Sequence, residues 1–302
     1  MMINRTIKKQ TNNQATNNNR KAVFGLFTLS VILLSACTMP DGTVVPGNNP
    51  GTVPTTSNPA VPGNPSNPTT PGSASPTPDP GTGFAALGIK DAVDLRQFDG
   101  PVEDQFGGTC SAFGTAAAFD NALKQKGINK TVSERDLWDH YGVYDITAAV
   151  QAANSNFIAP EADWPVNDAS PAVSTYQHDE TLKITQFIDH QYDLNAALQA
   201  LSQSHPVVIA IQVPDDLGNC AATIGPNSPA GSGQHVLEAV GYALDASVSG
   251  GGYLILKNSW GPDCGDHGYH YFPFSLCSRS DLYCYFEEIV SVEDTAASVA
   301  AQ

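Results

Sequence analysis

The stretch Asp104–Leu123, DQFGGTCSAFGTAAAFDNAL, decides how the rest of the chain is read. Its second half carries Ala112, Phe113, Ala116, Ala117, Ala118, Phe119 and Leu123, small or apolar residues on nearly every side of a helix. Such a run predicts a buried helix, since a surface helix keeps a polar face. Gly107 and Gly108 allow a tight turn just before it. Cys110 then stands at a helix N-terminus, where backbone N–H groups without intrahelical partners and the helix dipole favour an anion. A thiol in that position has a lowered pKa and is a nucleophile near neutral pH.

A nucleophilic cysteine needs a base, which can lie far along the chain. Two blocks supply candidates. SGQHVLEAVGY, Ser232–Tyr242, reads as a strand opened by His235. GYLILKNSWGPDCGDHGYHYFPF, Gly252–Phe274, reads as a strand, an Asn-Ser-Trp-Gly turn beginning at Asn258, and a second strand. Together with Gln105 ahead of Cys110 and Phe113 after it, these blocks in this order resemble the papain-like cysteine peptidases, from roughly Leu95 to Val292. Val93-Asp94-Leu95-Arg96 resembles the start of that family's mature fold.

The resemblance implies an α+β, two-lobed fold. A helical lobe would have its central helix start at the nucleophile, an antiparallel, β-barrel-like lobe would carry His235, and the active-site cleft would lie between them. It implies Cys110, His235 and Asn258 as the catalytic set, and the Gln105 amide with the Cys110 backbone N–H as the oxyanion hole. Trp260 would shield the bond between His235 and Asn258. The chemistry follows from the residue types: a thiol beside an imidazole exchanges a proton to give thiolate and imidazolium. Oxyanion donors of this kind are worth about 3 to 4 kcal/mol each.

The sequence departs from the family in places. Five positions separate Gln105 from Cys110, where the family usually has six, and a displacement of about 1 Å in such a group costs on the order of 100-fold. Ser111 stands where a Trp is common, the family's Gly-Gly substrate motif has no clear counterpart near Phe157–Val166, and Glu238 interrupts an apolar strand. Elsewhere, Thr131–Trp138 predicts a helix with a capping box of Ser133 and Asp136. Asp193 predicts the cap of a helix bearing Leu194, Ala197, Leu198 and Leu201, and Pro206–Val213 a buried strand.

Ahead of the globular region, residues 1–36 read as a lipoprotein signal peptide. Arg5, Lys8, Lys9, Arg20 and Lys21 precede the apolar run Ala22–Ala36, which is too short for a comfortable membrane span. Leu34-Ser35-Ala36-Cys37 resembles the lipobox of bacterial lipoproteins, which implies lipidation of Cys37 and favours the outer membrane. Residues 37–83 read as a tether: between Thr38 and Thr82 lie 12 of the chain's 22 prolines and hardly any large apolar residue. In polyproline geometry of ~3.1 Å per residue it reaches on the order of 100 Å. Residues 84–292 form the peptidase-like domain, and 293–302 a disordered tail. Nothing ahead of residue 84 has the pattern of a helical propeptide.

Beyond the first 37 residues, 9 basic residues face 30 acidic ones. That balance argues against nucleic acid and against anionic membranes as partners of the body. The six cysteines are Cys37, Cys110, Cys220, Cys264, Cys277 and Cys284. With Cys37 lipidated and Cys110 the nucleophile, the other four allow two disulfides in three connectivities. Local spacing favours Cys277 with Cys284 and leaves Cys220 with Cys264, without deciding the matter. Cys264, His267 and His270, flanked by Asp263 and Asp266, have the spacing of a zinc site. They fall in the segment that resembles the family's strand, so no metal and no cofactor is expected.

The expectation is thiol-dependent peptide-bond hydrolysis through a Cys110 thioester, by a monomeric extracytoplasmic endopeptidase domain anchored to a bacterial membrane through Cys37. Its partner would be a peptide or protein substrate. Two alternatives use the same cleft: a surface binding protein that does not turn over, and an amidase or transpeptidase that passes the acyl group to an amine.

Overall fold

The computed structural model describes residues 84–166 and 179–296. The signal segment, Cys37 and the tether lie outside them, as do the last residues of the tail. The main elements are β1 (Ala92–Asp94), α1 (Cys110–Gln125), α2 (Ile146–Ser155), β2 (Leu182–Gln191), α3 (Leu194–Ser202), β3 (Val207–Pro214), the single turn α4 (Asp215–Gly218), β4 (Ala230–Leu244), β5 (Gly252–Lys257), β6 (Tyr269–Pro273) and β7 (Cys284–Asp294). An antiparallel sheet runs in the order β2-β7-β3-β4-β5-β6, with β1 also on β4. Helices dominate the first half and strands the second, which makes the domain α+β.

Helix α1 begins at Cys110, and its small residues explain how it is buried almost all round. Gly114 is the point of closest approach to the sheet. A Cβ there would lie 2.9 Å from the backbone carbon and oxygen of Val236 in β4. Only hydrogen in place of a side chain lets the helix pack so near the strand. Ser111 donates to the Val143 carbonyl at 2.8 Å and ties the first turn of α1 to the segment leading into α2. Asp145 caps α2 by accepting from the Ala148 N–H.

The sheet is covered on both faces, which explains the apolar run of β3. Val207, Ile209, Ile211 and Val213 pack with α3, whereas Val208 and Ala210 join residues of α1 and α2. The Asp193 cap of α3 forms as the sequence implies, accepting from Asn195 and Ala196. Glu238 lies in register with Lys257 on the neighbouring strand, fully buried, and neither of its carboxylate oxygens has a hydrogen-bond partner. Burial, reinforced by Asp99, pushes its pKa well up despite Lys257. The side chain is therefore held as a neutral acid, which is how an apolar layer tolerates it.

Three expectations are corrected. His235 does not open its strand: β4 starts five residues earlier, because β3 runs on to Pro214, which pairs with Ala230. The capping box at Ser133 is only half formed. Ser133 accepts from the Asp136 N–H at 3.1 Å, but the Asp136 carboxylate turns to the Ala159 N–H and His140. The backbone answers with a wide π-helical turn over Asp136–His140. At the other end, β7 continues past Val292 to Asp294, since Glu293 and Asp294 pair with Lys183 and Leu182. Among the described residues, Cys220 pairs with Cys264 and Cys277 with Cys284.

Replacing Gly114 with Ala is expected to force α1 away from β4. The overpacking should destabilise the domain by roughly 1 to 3 kcal/mol, outweighing the ~1 kcal/mol gain in helix propensity. A melting temperature equal to or above that of the parent protein would contradict this account of the helix–strand contact.

Candidate active site

Two loops, more than 150 residues apart in sequence, are stitched together beside the start of α1. Asp104 pairs with Trp260 as an isolated antiparallel bridge. The Gln105 N–H donates to the Ser259 carbonyl at 2.7 Å, and the Ser259 hydroxyl donates to Gln105 Oε1, also at 2.7 Å. Gly261 N–H donates to the Glu103 carbonyl at 3.0 Å. The turn between Gln105 and α1 uses Gly107 at φ +54°, and the Thr109 hydroxyl closes it onto the Phe106 carbonyl at 2.7 Å. The Phe106 ring is held edge-on by Phe113 and covered by the Arg135 guanidinium, 4.2 Å from its centre.

Cys110, the first residue of α1, is fully buried. Gly114, one helical turn further on, shares its face of the helix, and Gly114 abuts Val236, the residue after His235. The contact between α1 and β4 thus falls next to both Cys110 and His235. Asn258 follows directly on the end of β5. His235 Nε2 lies 2.8 Å from Asn258 Oδ1, which also accepts the Ser259 backbone N–H at 2.7 Å. A backbone N–H can only donate, so the amide presents its oxygen to the imidazole. His235 Nε2 therefore carries a proton, and Nδ1 keeps the lone pair. The Trp260 indole stacks on the imidazole, ring centres 4.4 Å apart and planes 18° from parallel.

Burial lowers the His235 pKa to about 4, although its bond to Asn258 acts in the other direction. Cys110 itself is disulfide-bonded in this structure. The thiol expected from the sequence is here a neutral disulfide sulfur, and no thiolate faces the ring. Gln105 departs from expectation as well. It reaches the site but its Nε2 donates to the Gly107 carbonyl at 2.9 Å, within its own turn. One of the two amide hydrogens proposed for the oxyanion is committed there.

The zinc spacing dissolves in three dimensions. Cys264 is spent on Cys220, and the His270 ring nitrogens are 3.0 Å from Asn258 Nδ2 and 2.7 Å from the Ala221 carbonyl oxygen. Sequence reading set His270 aside with that cluster and missed its contact with Asn258. The available signal was a polar residue at an inward position of a buried strand, one residue after Tyr269.

A helix N-terminal cysteine, a buried imidazole and an amide that orients it, gathered where a helical and a sheet region meet, define the class of the cysteine peptidases. Residues 89–288 match the papain family cysteine protease profile, and the chain belongs to that family. It is 26% identical over 177 residues to Pro-cathepsin H of Medicago truncatula, covering 54% of this chain and 50% of that protein. It is 30% identical over 190 residues to the thiol protease aleurain of Arabidopsis thaliana, covering 56% and 51%. The chain thus spans about half the length of these curated relatives. The fold matches that of xylellain, a cysteine protease from Xylella fastidiosa, with a TM-score of 0.57 and 20% identity, over 68% of this chain and 88% of that one. It also matches the bromelain protease from Ananas comosus, with a TM-score of 0.55 and 23% identity over 66% and 98%.

The depressed His235 pKa has a signed consequence. The unfolded histidine takes up a proton below about 6.5, while the folded one does so only near 4. His235 therefore makes stability fall as pH drops from 6.5 towards 4. Reduction of Cys110 is expected to place a thiolate beside the ring and raise its pKa. Imidazole titration by NMR before and after reduction checks this; a midpoint unmoved by reduction would separate the two groups.

Proposed function

We propose that the chain hydrolyses peptide bonds, with the reduced Cys110 sulfur as nucleophile. The observation that carries this reading is the His235 Nε2 bond to Asn258, which leaves Nδ1 as a proton acceptor. In the first half, Nδ1 takes the thiol proton and the sulfur attacks the carbonyl carbon. The oxyanion is met by the Cys110 backbone N–H and the uncommitted hydrogen of the Gln105 amide. His235 then gives its proton to the leaving amine, and a thioester remains. In the second half, His235 takes a proton from water, the hydroxide attacks the thioester, and the thiol re-forms as acid is released. Asn258 holds the ring in one orientation throughout, and Trp260 keeps water from that bond.

A second reading, a peptide-binding surface protein without turnover, is favoured by one specific feature, the Gln105 amide turned to Gly107. Treating the full chain with a mild reductant and a diverse peptide library separates the two. Cleavage that appears on reduction and is lost by at least 1000-fold in Cys110→Ala supports the enzyme, on the scale of losing a nucleophile. Tight peptide binding without cleavage, or equal cleavage by the variant, supports its rival or another nucleophile.

We also propose that the protein acts outside the cytoplasm as a lipoprotein, on the strength of the apolar run Ala22–Ala36 and the Leu34-Ser35-Ala36-Cys37 motif. The remaining four cysteines pair among themselves. Acylation of the Cys37 sulfur would therefore leave Cys110 no intrachain disulfide partner and commit it to the thiol form. Cys37→Ser is expected to move the protein from the membrane to the soluble fraction of the producing cell; an unchanged distribution would reject the anchor.

A further inference from the structure

Asn258 is held from both ends, and the second end is not explained by the catalytic set. Its Oδ1 takes the His235 and Ser259 protons. Its Nδ2 lies 3.0 Å from Nε2 of His270, in β6, a fully buried histidine. The roles within that contact follow from the far side of the ring. His270 Nδ1 is 2.7 Å from the Ala221 carbonyl oxygen. A carbonyl only accepts, so Nδ1 carries the ring proton and Nε2 presents a lone pair to the amide.

We propose that His270 is a positioning residue for the peptidase site, an acceptor that clamps the Asn258 amide so that its oxygen stays on His235. The proposal rests on the functional reading above. The relay runs in one direction: His270 Nδ1–H to Ala221 O, Asn258 Nδ2–H to His270 Nε2, His235 Nε2–H to Asn258 Oδ1. Each donor in the relay meets an acceptor, and reversing any member sets two donors or two acceptors against each other. Among the described residues, Nδ2 has one other hydrogen-bond neighbour, Cys264 Sγ at 3.9 Å, a weak acceptor already in a disulfide. Without His270, a buried amide nitrogen would have no good partner, a state that rotation of the side chain relieves at the expense of His235.

The surroundings are built to hold this ring. Cys220–Cys264 joins the residue before Ala221 to the turn beside β6, and the Gly265 N–H donates to the Cys220 carbonyl at 3.1 Å. Gly265, at φ +75°, has no room for a side chain, since a Cβ would sit 2.7 Å from His270 Cε1. The disulfide thus anchors the carbonyl that sets the His270 tautomer.

The test compares His270→Leu with His270→Gln in the reduced full chain, reading kcat and KM separately. Glutamine can still accept from Asn258 through Oε1 and donate to Ala221 through Nε2; leucine can do neither. The expected result is a kcat lowered roughly 10- to 100-fold in the leucine variant, the range for small misplacements of a catalytic group. KM should stay within about twofold and kcat should recover largely in the glutamine variant. Equal kcat for all three proteins, or an equal loss in both variants alongside a lowered melting temperature, would overturn the proposal. Nitrogen-15 imidazole NMR adds a readout independent of turnover and of variant folding. It is made in a Cys110→Ala background, where no thiolate draws a second proton to His235. His235 should there be protonated at Nε2 alone, and His270 at Nδ1 alone. Either ring in the opposite tautomer would overturn the relay. If the parent protein cleaves no peptide, the functional reading fails, while the tautomers still decide the clamp.

Discussion

The site depends on how closely α1 lies against β4. A helix and a strand normally keep their backbones apart by the width of their side chains. At Gly114 there is none, and the helix approaches the Val236 backbone as nearly as packing permits. The proposed chemistry depends on that contact. The helix start brings Cys110, and the strand brings His235. Neither element carries both residues alone. The small residues of α1 and the two-faced apolar burial of β3 are the means by which the two come together.

Around this junction a few polar side chains satisfy one another, although the buried Trp260 indole N–H has no hydrogen-bond partner among the described residues. His235, Asn258 and His270 form a single directed line of hydrogen bonds. The paired loops at Gln105 and Ser259 close the site from the other side. Such a network inside a low-dielectric region holds its members firmly, because each broken bond leaves a buried donor or acceptor exposed to nothing. Burial also keeps His235 neutral near pH 7. The same burial would strengthen its attraction to a thiolate once the sulfur is reduced.

Much of this was legible in the sequence because it is carried by local signals. Gly-Gly before an apolar run marks a turn into a buried helix, and Asn-Ser-Trp-Gly between two strands fixes where an amide and an indole emerge. The order of Cys110, His235 and Asn258 then implied the α+β two-lobed fold. What escaped was decided by tertiary partners. His235 sits inside β4 because β3 extends to meet residues before it. Asp136 abandons its capping role because Ala159 offers a buried N–H. Glu238 puzzled as a charge and makes sense as a neutral acid. His270 resembled a zinc ligand by spacing, and only its neighbours across β5 and β6 reveal an acceptor for Asn258. The oxidation state of Cys110 is written in no spacing at all.

The central claim is that the Cys110 sulfur and the His235 imidazole share a proton. The most direct measurement is the rate of Cys110 alkylation by an epoxide or vinyl-sulfone probe, as a function of pH, in the reduced full chain and in His235→Ala. An isolated thiol gains reactivity only as pH approaches about 8.5. The paired sulfur should react rapidly well below that, near pH 5 to 6, and lose this acid-side reactivity in the variant. If both proteins follow the ordinary thiol titration, the two groups do not share a proton and the catalytic account fails.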